Sequence, residues 1–305
     1  MARKNWDELN LMDNALMNIV ASDPDVGEAF CKRVLSVLLE REIGAVKVTV
    51  QRFIPGTTSD IRGVCLDVEV EEQKTTDESA RVARVFDLEP HYADYTDDYP
   101  RMMRFRQAKI DSRRLKRGER QFKKLPDLYV ILITDFDLFG ENRMIYTVRN
   151  KCIESPGLEY EDGLCFVYFN TKGEIGGSQD ISNMLHYIQN SRDEFVVDSA
   201  TMEVDKYVRN VRISPEAKEA YMTYGDLLDE ERIAGRAEGR EEGEENRLIR
   251  QVCRKLRKGQ DYVEIAEDLV EDKAHIKAIC DAAEKYAPDY NEELVIADYR
   301  PAVLV

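Results

Sequence analysis

Histidine is scarce in this chain, and its cysteines are not spaced for metal binding. There are only three histidines in 305 residues, and no two of them are close in sequence. The cysteines form no Cys-x-x-Cys pair, so a zinc enzyme built on clustered His and Cys is not expected. The six cysteines are instead predicted to be buried, reduced thiols: Cys31, Cys65, Cys152, Cys165, Cys253 and Cys280.

Long apolar runs are also missing. No stretch approaches the ~20 apolar residues that a membrane-spanning helix needs. The first residues, Met-Ala-Arg-Lys-Asn-Trp-Asp-Glu, lack the apolar core of a signal peptide. We therefore expect no membrane partner and a cytoplasmic location. Hydrophobic residues make up 43% and charged residues 34%, which is typical of a globular protein with an adequate core and a heavily charged, helical portion.

Positive charge is in deficit overall but concentrated in one segment. The 44 Lys and Arg residues against 60 Asp and Glu residues give a net charge of −16, which argues against binding to a phosphate backbone. Residues 101–124 nevertheless contain eleven basic and two acidic residues, a local charge of +9 that leaves −25 for the remainder. A nucleic-acid partner is therefore expected to contact this segment.

The pattern of apolar and polar residues predicts an α/β fold with a mixed central sheet flanked by helices. Helical periodicity covers 8–22 and 24–41, with a break at Asp23-Pro24. The nearly continuous apolar run 128–134 predicts a central strand buried on both faces, whereas Pro90 predicts a strand end or an edge. The polar stretch 71–80 is predicted to be a hairpin connection or loop. The predicted strands are 46–53, 64–70, 82–88, 128–134, 144–148 and 164–169, with a basic helix over 99–115.

From about residue 180 onward the pattern predicts an all-helical C-terminal extension. Within it, the segment 235–243 has a glycine at every fourth position among charged residues, which favours an exposed helix or connector over a membrane-helix contact. The small helical unit near the C-terminus resembles a generic cap or oligomerisation piece, with a helix-turn-helix as the alternative. The predicted helices include 181–191, 200–211, 215–229 and 229–257. The predicted domains are 1–195 (α/β), 196–258 (helical extension), 259–287 (small helical unit) and 288–305 (a loosely attached tail).

Acidic residues lie on the polar faces of two neighbouring predicted strands. Asp67 belongs to the second strand, and alternation sends Asp87, Glu89 and His91 of the third strand to one side. Two carboxylates on adjacent strands, with another polar group two residues beyond the second, could hold a hard divalent cation next to a phosphodiester. This arrangement predicts a nuclease site.

Five sequence blocks, taken in order, resemble the PD-(D/E)XK nuclease superfamily, and more closely its bacterial branch of recombination-promoting nucleases and transposases. The resemblance covers roughly residues 8–190 and implies a restriction-endonuclease-like fold. An isolated Asp followed by Glu-x-x carries little information, so the ordered series carries the resemblance. The blocks are a helical pair ending near Leu39, Arg62-Gly-Val-Cys-Leu-Asp67-Val, Phe86-Asp-Leu-Glu89-Pro-His91, Tyr99-Pro-Arg101-Met-Met-Arg104-Phe-Arg-Gln-Ala-Lys-Ile-Asp111, and Leu125-Pro-Asp-Leu-Tyr129-Val-Ile-Leu-Ile-Thr-Asp135-Phe-Asp137-Leu-Phe-Gly140.

The resemblance implies that Asp67 and Glu89 coordinate Mg²⁺ or Mn²⁺, and that His91 stands where the family has Lys or Gln. Because an unperturbed histidine has a pKa of about 6.5 and is mostly neutral at pH 7, several roles stay open for it. His91 could accept a proton, ligate the metal, mark a weakened site or be a structural residue at a strand end. Asp87 lies outside the family position. Asp13 resembles an acidic helix position that assists metal binding in some members, although helix capping is favoured.

The predicted basic helix directly after these carboxylates supplies candidate phosphate contacts. Side chains at i, i+3 and i+4 of a helix share a face. Arg101, Arg104, Gln107 and Lys109 are therefore predicted to position nucleic acid through its phosphates, without base specificity. An ordinary solvated helix face is the alternative.

Together these patterns predict a metal-dependent DNA endonuclease associated with mobile elements or recombination. The alternative is a nuclease-fold protein that has lost catalysis and serves as a nucleic-acid-binding or assembly module, suggested by His91 and by the −25 charge outside the basic segment. A third hypothesis is that the C-terminal helices join copies of the chain into a homo-oligomer.

Overall fold

The computed structural model describes residues 4–54, 64–76, 79–92, 98–115 and 120–299. Their centre is a six-stranded mixed sheet in the order β1-β2-β3-β4-β6-β5. The first three strands pair antiparallel, β3–β4 and β4–β6 are parallel, and β5 returns antiparallel to β6. The strands are β1 (Ala45–Ile54), β2 (Val64–Thr76), β3 (Ser79–His91), β4 (Asp127–Thr134), β5 (Ile145–Val148) and β6 (Leu164–Asn170).

Helices cover both faces of this sheet and form the C-terminal part of the chain. They are α1 (Asn14–Ser22), α2 (Gly27–Leu38), α3 (Tyr99–Arg114), α4 (Gln179–Asn190), α5 (Ser199–Arg212), α6 (Pro215–Leu256), α7 (Tyr262–Leu269), α8 (Lys273–Ala283) and α9 (Glu292–Tyr299). The predicted α/β class with a mixed sheet and flanking helices is confirmed. A restriction-endonuclease-like arrangement of these elements stays a prediction.

The two faces of the sheet have separate apolar cores. One core joins the sheet to α1, α2, α4 and α5, and includes Phe86, Ile131 and Phe169. On the other face, α3 packs Met103 and Ile110 onto the remaining apolar side chains of β3, β4 and β6. Each such fully buried side chain contributes about 1.5–3 kcal/mol. β4 supplies residues to both cores, as expected for a central strand buried on both faces.

The hairpin between β2 and β3 is longer than the sequence predicts. The polar residues 71–76 continue β2, and β3 begins at Ser79. Glu72 lies directly opposite Arg84 in the ladder, and the two side chains form an ion pair of 2.8 Å. Cross-strand pairs of opposite charge stabilise a sheet locally, so a polar composition did not prevent strand formation here.

The chain divides into two compact units, Met1–Gly225 and Asp226–Val305. The first unit extends past residue 195, because Val204, Val208 and Val211 of α5 belong to the same core as α2 and α4. The separate helices predicted over 215–229 and 229–257 are one continuous helix, α6. Pairs such as Arg240 and Glu244, one turn apart and 3.1 Å from each other, support a helix of this composition.

The second unit has its own small core around Ile265, Ile276 and Ile279. The prediction of a loose tail over 288–305 is wrong for α9, whose Val295 and Ile296 are buried in this core. The unit contains 13 basic and 21 acidic residues, a net charge of −8. Such a charge disfavours a DNA-binding helix-turn-helix here.

Two cysteines depart from the expectation of buried thiols, since Cys65 is exposed and Cys152 half-exposed. In the part of the chain that is described, none of the helices has the length and apolarity needed to cross a membrane.

Candidate metal centre

β2 and β3 bring the predicted acidic residues together. The two strands are antiparallel neighbours, and their ladder reaches the pair Val68–Leu88. Asp67 and Glu89 are the next residues along each strand, so they face each other where the described ladder stops. His91 follows Glu89 by two residues and therefore lies on the same side of β3.

Three side chains converge at this point. The carboxylates of Asp67 and Glu89 and the imidazole of His91 each offer a ligand atom, and these atoms lie within 4.8 Å of one another. Glu89 Oε2 is 3.7 Å from His91 Nε2. Glu89 is buried, whereas Asp67 and His91 are half-buried. The site is therefore partly exposed, through Asp67 and His91.

The carboxylate of Glu89 is held by one of its two oxygens. Glu89 Oε1 accepts a hydrogen bond of 2.8 Å from the backbone N–H of Asp67, and it also contacts the guanidinium Nη2 of Arg106. The second oxygen, Oε2, is the one that lies near His91. Fixing one oxygen orients the other as a ligand, which is how supporting contacts tune metal sites.

Arg106 is one of two supporting residues that the sequence did not reveal, and Asn14 is the other. The side chain of Arg106 is only 6% exposed, and it donates to both oxygens of Asp87, at 2.9 Å and 3.2 Å, and to the backbone carbonyl of Cys65 at 3.1 Å. The signal for its burial was present, because Met103, Arg106 and Ile110 follow helical spacing along one face of α3.

Asp87 is the counterion of Arg106 rather than part of the cluster. It is fully buried, and burial raises the pKa of its carboxyl although Arg106 acts in the opposite direction. A buried carboxylate of this kind needs its cation, since an unpaired charge in the interior is costly. Arg106 thus pairs with Asp87 outside the cluster and with Glu89 within it.

Asn14 holds the other carboxylate of the cluster. Its side-chain Nδ2 donates to Asp67 Oδ2 at 3.0 Å. Burial raises the pKa of Asp67, while the charges of Arg106 and His91 lower it. Neighbouring Asp13 is directed elsewhere, because its carboxylate accepts from Lys4 Nζ at 2.7 Å and from the backbone N–H of Asn10 at 3.0 Å.

The ring of His91 packs against the first residue of α3. Its centroid is 5.8 Å from that of Tyr99 in an edge-to-face arrangement, and Tyr99 in turn lies 5.5 Å from Phe136. Aromatic contacts of this geometry restrict the imidazole. β3 ends at His91, in agreement with the predicted strand end at Pro90, although β3 is an interior strand.

The predicted phosphate-contacting residues do not share one face of α3. With 3.6 residues per turn, Arg101 and Arg104 are about 60° apart, but Gln107 and Lys109 are about 160° apart around the axis. Arg101 pairs with Asp98, Gln107 Nε2 donates to Asp111 at 2.5 Å, and the ammonium of Lys109 lies 5.4 Å from the ring of Phe105. Arg104 is exposed.

Part of the basic segment is neutralised within the protein. Arg113 and Arg114 reach the sheet, where Glu69 is fully buried and also approached by Arg52 at 3.1 Å. Arg114 forms a second ion pair of 2.6 Å with Glu71. Burial, and then the neighbouring guanidiniums, lower the pKa of Arg113 to about 10. The charge that α3 offers to an external polyanion is therefore smaller than the sequence count.

Comparison with known proteins assigns no relative: no family model, no curated protein and no solved structure matches the chain. The family resemblance stays a prediction.

The donor set fits a divalent cation of the Mg²⁺ or Mn²⁺ type. Asp67 and Glu89 offer carboxylate oxygens, and the carboxylate of Glu89 has one oxygen held so that the other faces the cluster. Oxygen ligands suit Mg²⁺ and Mn²⁺, and an imidazole nitrogen is better tolerated by Mn²⁺.

Proposed function

We propose that this chain is a metal-dependent nuclease that hydrolyses phosphodiester bonds in DNA, with Asp67, Glu89 and His91 as its metal site. The convergence of these three side chains within 4.8 Å carries the proposal. A phosphodiester resists hydrolysis because its negative charge repels nucleophiles. When bound, Mg²⁺ or Mn²⁺ would supply positive charge at the phosphate and lower the pKa of water at the site.

The residues of the chain have separate tasks in this proposal. Asp67 and Glu89 hold the cation, Asn14 and Arg106 fix the orientation of these two carboxylates, and His91 Nε2 is the third donor. Exposed Arg104 on α3 is the candidate contact for the DNA backbone. The link to recombination or mobile elements rests on the family resemblance alone.

The experiment measures metal binding and DNA cleavage on the same full-length protein. Calorimetric titration with Mn²⁺ is expected to show binding that Asp67→Asn and Glu89→Gln weaken strongly. Plasmid cleavage in Mg²⁺ or Mn²⁺ is expected to be lost in both variants. Asp25→Asn is the matched control, because Asp25 is an exposed carboxylate in the α1–α2 turn. Cleavage that persists in Asp67→Asn and Glu89→Gln would contradict the proposal.

The second candidate is a nuclease-fold protein that binds nucleic acid without cleaving it. The ion pairs of Arg106 favour it, because a fixed cation already stabilises Asp87 and Glu89. This candidate predicts no heat of Mn²⁺ binding, together with DNA binding that weakens as salt is raised. Loss of Mn²⁺ binding in Glu89→Gln, relative to the natural chain, would argue against it.

A further inference from the structure

A polar cavity lies in the first unit, on the sheet face opposite α3. Its volume is approximately 460 Å³, and it is bounded by the end of α2, the strands β4, β5 and β6, and the start of α4. Apolar side chains, including Leu38, Val167 and Ile181, line one part of it. Arg41, Tyr129 and Arg149 line another. This volume falls within the range of about 300–1,000 Å³ typical of small-molecule sites.

Two guanidinium groups approach one hydroxyl in this cavity. Arg41 Nη1 donates to the hydroxyl of Tyr129 at 2.9 Å, and its guanidinium carbon lies 5.8 Å from the centre of the Tyr129 ring. Arg149 lies close enough to interact with the same hydroxyl and with the thiol of Cys165. The positively charged side chains of Arg41 and Arg149 thus both approach the neutral hydroxyl of Tyr129.

Among the residues that the structure describes, neither guanidinium forms a direct ion pair with a carboxylate, and Arg41 Nε is buried without a hydrogen-bond partner. Arg41 is nevertheless close enough to act on Glu72: burial opposes ionisation of Glu72, but hydrogen bonds from Arg84 and Gly44 and the charges of Arg84 and Arg41 lower its pKa. Glu40 also lines the cavity but pairs with neither of them. By contrast, Arg106 and Arg114 of α3 are each paired with buried or half-buried acids. In a chain with 60 acidic residues, half-buried Arg41 and exposed Arg149 lie beside an apolar surface and both lack a direct ion pair with any described acid, which favours an external anion.

We propose that this cavity binds a small organic anion. Its phosphate or carboxylate head would lie between Arg41 and Arg149, and its apolar body would lie against Leu38, Val167 and Ile181. Guanidinium groups match both kinds of oxyanion through paired hydrogen bonds. The cavity is separate from the metal centre, because the three candidate metal ligands lie on β2 and β3, whereas the cavity is bounded by β4, β5 and β6.

The test is calorimetric titration of the full chain, in the presence of EDTA, with three probes that share a phenyl ring. Phenyl phosphate and benzoate carry the two candidate heads, and benzyl alcohol is neutral. At least one anion is expected to bind, and benzyl alcohol is not. Loss of one charged donor in Arg41→Gln or Arg149→Gln is expected to weaken binding about tenfold. Whichever anion binds more tightly identifies the head group.

Further variants distinguish binding in this cavity from non-specific attraction of an anion to positive charge. Arg209→Gln is the matched control, because Arg209 is an exposed arginine on α5 paired with Asp205. It should leave binding unchanged, as should Asp67→Asn at the metal centre. Thr147→Phe fills the cavity from β5 while both guanidiniums remain, and it should block binding.

Two results would overturn the proposal: no heat with either anion, or equal affinity in Arg41→Gln and Thr147→Phe compared with the natural chain. Trp6 is the only tryptophan in the chain and is buried in the first unit, so its unchanged emission verifies that each variant is folded. Because the titrations contain EDTA, their outcome does not depend on whether the protein is a metal-dependent nuclease.

Discussion

The guanidinium of Arg106 contacts the carboxylate of Glu89 in the interior, and through the same side chain it holds Asp87. This relationship couples the stability of the sheet to the geometry of the candidate metal centre. The oxygen of Glu89 that Arg106 holds is also the one that accepts the N–H of Asp67.

Arg106→Ala is expected to destabilise the first unit by about 3–5 kcal/mol, because it leaves Asp87 buried without its cation. The measurement is urea unfolding followed by the fluorescence of Trp6. Arg104→Ala, two residues away but exposed, is the control and should change stability by no more than about 0.5 kcal/mol. The double variant Arg106→Met with Asp87→Asn should be more stable than Arg106→Ala; if it is equally unstable, the buried charge is not the cause.

Asn14→Ala is expected to weaken Mn²⁺ binding about 10- to 100-fold, because Asp67 loses the amide that orients Oδ2. Calorimetry on the full chain measures the change. Asn190→Ala removes an amide that bonds only to a backbone carbonyl at the end of α4, and it should leave Mn²⁺ affinity intact. Equal affinities for Asn14→Ala and the natural chain would show that this hydrogen bond does not support the site.

His91→Asp is expected to shift metal preference from Mn²⁺ towards Mg²⁺, because it exchanges a nitrogen donor for an oxygen donor. His91→Lys should place a fixed positive charge at this position and lower the affinity for metal, since an ammonium is not a ligand. The ratio of Mn²⁺ to Mg²⁺ affinities, measured by competition, distinguishes these cases. If neither substitution changes that ratio, His91 is not a metal ligand.

Asp198→Ala is expected to destabilise the first unit by about 1 kcal/mol at pH 7, because Asp198 caps α5. Partial burial opposes ionisation, but hydrogen bonds from Thr201 and Asn183 lower the pKa of Asp198 below its ordinary value of 3.8. A lowered folded-state pKa stabilises the protein above the unfolded-state value and loses that effect as pH falls through the folded-state value. The difference in unfolding free energy between the natural chain and Asp198→Ala should therefore become smaller below about pH 4. Urea unfolding monitored by the fluorescence of Trp6 measures it. If this difference in unfolding free energy stays constant below about pH 4, the charge of Asp198 does not contribute to stability.

Arg104→Gln is expected to reduce the slope of log affinity against log salt by about one, as for one lost phosphate contact. Fluorescence anisotropy with a labelled DNA duplex, in EDTA and across a salt series, gives the slope. Arg113→Gln is the comparison: it should lower stability and leave the slope unchanged, because Arg113 pairs with buried Glu69. If Arg113→Gln reduces the slope and Arg104→Gln does not, the DNA contact lies on the side of α3 that faces the sheet.

The approach of Asp67, Glu89 and His91 was predictable because it depends on local rules. Strand alternation has a period of two residues, and a β2–β3 hairpin makes the strands neighbours. The supporting residues were not predictable in the same way. Asn14 reaches Asp67 across 53 residues of sequence, and Arg106 reaches Asp87 across 19. Such pairings depend on how helices dock on the sheet.

The basic segment also has a property that the sequence alone does not predict. Its charge of +9 is a property of the sequence, but which arginines point outwards is a property of packing. Helical spacing alone grouped Arg101, Arg104, Gln107 and Lys109, although these positions spread over about 200° of the helix circumference. Apolar Met103 and Ile110 set the buried face of α3, and this turned Arg106, Arg113 and Arg114 towards the carboxylates of the sheet.

The sequence by itself determined the strands, most of the helices, and the placement of the three candidate ligands on adjacent strands, because these follow from short-range periodicity. Only the tertiary structure decided that Arg106 and Asn14 orient those ligands, that much of the basic helix is neutralised internally, and that Arg41 and Arg149 meet in a cavity. The physical reason is that ion pairs and cavities form between residues distant in sequence, and their partners are fixed by the docking of whole elements.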